Sequence, residues 1–148
     1  MISNYAFSNF RPWRCFPVLI SIYLSILCTT AFGQEPVSKG FFDNIAIDGN
    51  DTVAYHQQSA LSQPSATTGV EEFVVLWKGA KWRFASKENS DAFAANPEKF
   101  SPAYNGHCAN ALSLGEGLIR TDGAHWEIFD NQLYLFFASR GRNRWLNS

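Results

Sequence analysis

Past residue 33, the apolar positions of this 148-residue chain come in short runs separated by turn residues. Glu72 to Trp77 and Ala80 to Ala85 are β-prone runs joined around Lys78-Gly79, and Trp82 and Phe84 alternate with Lys81 and Arg83. Period-two alternation predicts a half-buried strand, so the pair reads as a β-hairpin. Ser86 then N-caps a helix over 87–95 with Glu88 in its first turn, where the helix dipole favours an anion. That helix is expected to turn Ala92, Phe93 and Ala95 inward. Asn96-Pro97-Glu98 starts a further helical turn, capped by Asn with Pro in the first position, and Phe100 is its core anchor. Cys108 to Leu114 reads as a short helix ended by Gly115. Trp126 to Phe129 and Gln132 to Phe137 flank Asp130-Asn131, a two-residue type I′ turn. Ser139 to Leu146 predicts a last short helix anchored by Trp145. On the N-terminal side, Phe41 to Tyr55 holds small apolar patches split by the turn cluster 48–51, and Gln57 to Gly69 is a polar surface loop. The order predicts an α+β fold: a small single domain with two β-hairpins and short helices.

The segment before this domain has a different pattern. Arg11 and Arg14 precede thirteen uncharged residues, Phe16 to Cys28, and Ala31-Phe32-Gly33 places small residues at −3 and −1 of a cut after Gly33. Basic start, short apolar run and small-x-small site predict a secretory signal peptide over 1–33. A membrane anchor is the competing reading, since the run stretches toward spanning length when Thr29 to Phe32 are included. Residues 34–40 read as a flexible lead-in and 41–148 as the domain. Localisation is expected to be exported, periplasmic or secreted, with no membrane attachment after cleavage.

Composition narrows the classes. The chain is 46% hydrophobic, which excludes a disordered protein, and 16% aromatic, which suits a small core of large side chains. The 12 basic residues nearly balance the 13 acidic ones, so no nucleic-acid footprint is present. Removing 1–33 takes Arg11, Arg14, Cys15 and Cys28, leaving net −3 and one cysteine, Cys108. An internal disulfide is then impossible. Walker, G-x-S-x-G, H-E-x-x-H and paired C-x-x-C signatures are absent.

The chemistry that remains is Cys108 and three histidines. His107-Cys108 joins an imidazole to a thiol, a donor pair suited to copper or zinc. A third ligand must come from elsewhere, His56 first and His125 second. Cys108 can equally be a buried core residue, or a reactive thiol activated at a helix start. Trp77, Trp82, Phe84, Phe93, Phe100, Trp126, Tyr134 and Phe136 read as core rather than as a ligand pocket.

Several motifs occur together in order: Asp51-Thr52-Val53-Ala54-Tyr55, Trp82-Arg83-Phe84-Ala85-Ser86, Phe93 with Asn96-Pro97-Glu98-Lys99-Phe100, and Tyr104-Asn105-Gly106-His107-Cys108-Ala109. As a set they resemble the YHS domain family, in particular its standalone exported bacterial members, over Phe41 to Leu146. The resemblance implies a small α+β domain and an inferred metal-binding role, with no catalytic activity established for the standalone exported members. The short, metal-associated form of that family has cysteines at the positions of Ala54, Ala85 and Asn89, so a site built on those thiols does not carry over. At the positions of His56 and His107 the exported branch usually has aromatic rings. The resulting expectation is an exported, non-enzymatic protein that binds copper or zinc through Cys108, His107 and His56. A protein-interaction or structural module without metal is the alternative, and a single-thiol redox protein the third reading.

Overall fold

Each β-hairpin of the fold closes on two left-handed residues. The computed structural model describes residues 36–58 and 65–148. The expected signal peptide and the middle of the polar 57–69 loop lie outside the described residues. Gly33–Ser148 is one compact unit. The first hairpin pairs β1 (Val70–Trp77) antiparallel with β2 (Ala80–Phe84), Trp77 opposite Ala80. Between them Lys78 and Gly79 have φ of 48° and 69°. The second hairpin pairs β3 (His125–Phe129) with β4 (Gln132–Phe136) through Asp130 and Asn131, at φ of 50° and 60°. Positive φ at both loop residues matches the twist of the flanking strands. The small α+β architecture read from the sequence is therefore the one observed.

Two of the helices start on the capping residues read from the sequence. α1 is Thr52–Gln57, α2 Lys87–Ala95, α3 Pro97–Phe100, α4 Ala109–Ser113 and α5 Ser139–Leu146. Ser86 Oγ accepts Asn89 N–H at 3.2 Å to start α2, and Asn96 Oδ1 accepts Lys99 N–H at 3.2 Å to start α3. Phe93 is fully buried and Ala92 half-buried, but Ala95 is exposed. At about 100° per residue, Ala95 lies far round the helix from Phe93 and cannot share its inward face.

Phe93 is the hub of the larger core. Its ring lies 5.3 Å from that of Trp82, 5.0 Å from Phe84 and 5.7 Å from Trp77. Val53, Tyr55, Leu133 and Leu135 complete this cluster across the two hairpins and α1. A smaller cluster of Cys108, Ala109, Ala111 and Phe136 sits under α5, capped by Trp145.

Two features differ from the sequence expectation. The described part of the expected lead-in, residues 36–40, is packed: Val37 and Ser38 are buried, and Lys39 pairs with Ala46 in an antiparallel bridge. A buried backbone must find partners, and Ser38 N–H donates to Asn105 O at 2.9 Å. The 44–46 segment also lies along β2, with Lys81 N–H donating to Asn44 O at 2.8 Å and Ala46 N–H to Lys81 O at 2.9 Å. No helix among the described residues is long and apolar enough to cross a membrane.

Candidate functional site

Cys108 is held at the junction of α4 and β4. It forms a parallel bridge with Leu135, and its N–H donates to Ile119 O at 2.9 Å. Its residue is 3% exposed, and Sγ accepts Phe137 N–H at 3.3 Å. Sulfur here does two things: it fills space beside Phe136 and it satisfies a backbone donor where β4 ends.

His107 precedes it and is also buried. Its Nδ1 lies 3.1 Å from Tyr104 O. A carbonyl oxygen only accepts, so Nδ1 carries the proton and Nε2 of the neutral ring the lone pair. His56 is placed by a different element, the last turn of α1, and packs edge-on against Phe100 with ring centroids 5.6 Å apart. Its Nε2 is buried without a hydrogen-bond partner. Burial, and next the Lys99 ammonium, lower its pKa, so the neutral ring is favoured there. His125 opens β3 opposite Phe136. Among the described residues no group of three or more His, Cys, Asp or Glu forms that could hold a metal ion. The expected convergence of Cys108, His107 and His56 is thus not found. Sequence adjacency brought His107 beside Cys108, but His56 belongs to a helix whose ring contact is with α3.

A buried carboxylate outside the expected donor set organises the other end of α1. Asp51 is 0% exposed. Oδ1 accepts Val53 N–H at 2.9 Å and Ala54 N–H at 3.1 Å, the N-cap of α1. Oδ2 accepts Ala85 N–H at 2.8 Å and Asn89 Nδ2–H at 2.6 Å. One carboxylate therefore binds Ala54, Ala85 and Asn89, from α1, the end of β2 and α2. The fourth residue of α1, Tyr55, donates from its hydroxyl to Gly123 O at 2.8 Å. Burial, and after it the Asp122 and Asp51 carboxylates, raise the Tyr55 pKa well beyond the usual phenol range. It stays a neutral donor and ties α1 to the approach to β3. The signal for this corner was available: Asp before Thr-Val-Ala-Tyr is an N-cap pattern. A six-residue helix is too short to show the periodicity that reveals longer ones.

No family model matches the chain, and neither a curated protein nor a solved structure matches it.

A polar groove of about 330 Å³ lies between the hairpins, lined by Lys78, Glu98, Ser101 to Asn105 and Gln132. Lys78 Nζ and Glu98 Oε1 are 3.4 Å apart on its wall, and Gln132 Nε2 donates to Ser101 O at 3.0 Å. Its lining includes none of Cys108, His107 and His56.

Proposed function

We propose that this chain is an exported, non-enzymatic YHS-like domain that acts as a binding module. In it a hydrogen-bonded carboxylate occupies the corner where metal-associated relatives carry thiols. The observation that carries the reading is the Asp51 network. Ala85 and Asn89 lie 34 and 38 positions from Asp51, yet both bond to its carboxylate, which also caps Ala54. Ala54, Ala85 and Asn89 are the positions at which the resemblance puts cysteines. Residues that meet at one point are where a metal site would have to be built. Here the Asp51 carboxylate takes up the backbone N–H groups of Ala54 and Ala85 and the side-chain amide of Asn89, so its oxygens are consumed by N–H donors. The buried position of Cys108, with its sulfur accepting Phe137 N–H, supports a structural thiol rather than a reactive one.

The test compares the Gly33–Ser148 unit with a triple variant, Ala54→Cys/Ala85→Cys/Asn89→Cys, in equilibrium dialysis against zinc and copper(I). The expected result is no stoichiometric metal on the natural sequence and one bound ion on the triple variant. Failure of the folded triple variant to bind would remove the support from the resemblance.

A second reading has one observation in its favour. The Nδ1–H of His107 is committed to Tyr104 O, and a hydrogen bond at one ring nitrogen is what orients an imidazole to ligate metal through the other. In that reading His107 and Cys108 hold copper or zinc as a pair. Metal retained by the natural sequence and lost in Cys108→Ser would select it over the first.

A further inference from the structure

Residues 40–45 form a tight loop closed at its base. Gly40 N–H donates to Ile45 O at 2.9 Å, and Asp43 Oδ1 accepts Ile45 N–H at 3.0 Å. At the tip stand Phe41 and Phe42, 87% and 94% exposed, their rings edge-to-face at 5.0 Å. Loop tips are ordinarily polar, and adjacent large rings held in solvent mark a contact surface. The loop is fixed to the first hairpin: Lys39 Nζ donates to Gly79 O at 2.6 Å, and Lys81 N–H to Asn44 O at 2.8 Å. On that hairpin Leu76, 76% exposed, stands directly across from exposed Lys81. The surface thus combines protruding apolar side chains with Lys39 and Lys81. Asp43, the one acid of the loop, has an oxygen turned to its own backbone.

We propose that the Phe41-Phe42 loop is a membrane-interface contact, its two rings entering the headgroup–acyl boundary of a bilayer containing anionic lipid, with Lys39 and Lys81 meeting the headgroups. Two features favour a bilayer over a protein partner. The rings project from a narrow tip, a shape suited to insertion into a soft interface, and cations beside apolar side chains are the composition of interfacial contacts.

The experiment is flotation of the Gly33–Ser148 unit with vesicles of phosphatidylethanolamine and phosphatidylglycerol, beside vesicles of phosphatidylcholine alone. Thermal melting establishes that every protein used is folded. The natural sequence should float with the anionic vesicles. Phe41→Ser/Phe42→Ser should lower partitioning by about tenfold or more per ring, with melting unchanged because the rings lie outside the core. Lys81→Gln should weaken only the binding to phosphatidylglycerol vesicles. The proposal fails if the natural sequence stays with the soluble fraction, if the double variant floats equally well, or if the rings instead hold a concentration-dependent dimer that the double variant dissolves.

Discussion

The backbone N–H of Thr121 donates to Ser38 Oγ at 3.1 Å across 83 positions of sequence. Ser38 is at the same time tied to two left-handed turns. Its N–H donates to Asn105 O, and its carbonyl accepts Ile47 N–H, both at 2.9 Å. Ile47, Asp48 and Gly49 run at φ of 42°, 52° and 84°, and Tyr104, Asn105 and Gly106 at 55°, 51° and 85°. Left-handed backbone costs a residue with a side chain roughly 1–2 kcal/mol, and the bonds at Ser38 help offset that cost. Ser38→Ala leaves the Thr121 donor buried and unpaired, and should destabilise by about 1–3 kcal/mol. Urea denaturation of both proteins measures it; an unchanged midpoint would mean that Thr121 finds another acceptor.

Gly106 should be the least replaceable residue of its turn. A Cβ there would stand 2.8 Å from Ile47 Cγ2, in a backbone already at φ 85°. Gly106→Ala combines left-handed strain with a clash against a buried side chain. It should cost about 2–4 kcal/mol, read as a lower melting temperature. Gly115→Ala is the control: it has a similar φ of 73° but nothing within 4 Å, so it should cost less.

Asp51→Ala removes the acceptor for three backbone N–H groups and the Asn89 amide. The expected loss is about 2–4 kcal/mol, the N-cap together with buried donors left unpaired. Hydrogen exchange should show the effect first at Val53, Ala54 and Ala85. A cost near zero would mean that the corner relaxes to admit water.

His56 makes stability depend on pH. Its pKa is lowered in the folded state, by burial first and Lys99 second. The unfolded chain therefore binds the proton more readily, and stability rises with pH where that difference operates. The contribution is fully present above the ordinary histidine pKa of about 6.5, and is lost as pH falls through the lower folded value. Melting temperature should drop between about pH 7.5 and about pH 5. His56→Phe, which keeps an aromatic ring against Phe100, should flatten that dependence. An identical slope in both proteins would assign it to other groups.

Much of this molecule was legible in local pattern. Trp82 and Phe84 alternate with charged residues, and both are buried. Ser86, Asn96 and Asp130-Asn131 announce two caps and a turn, and each does so in place. These signals act over a few residues, so they survive without tertiary information. Ser38 carried no such signal, since its partners lie at Asn105 and Thr121, and Asp51 signalled only its cap of α1, not its bonds to Ala85 and Asn89.

The division follows from the range of the forces. Sequence by itself determined the hairpins, the caps and the order of the elements, because strand alternation, capping and turn chirality are settled between near neighbours, and it gave the described residues a donor set of Cys108 and three histidines. Only the tertiary structure decided which of those donors meet. It placed His56 against Phe100, set Cys108 to accept from Phe137, and brought Ala85 and Asn89 to Asp51. Such meetings depend on how whole elements pack, and a buried carboxylate or thiol can bond only to what packing brings within about 3 Å of it.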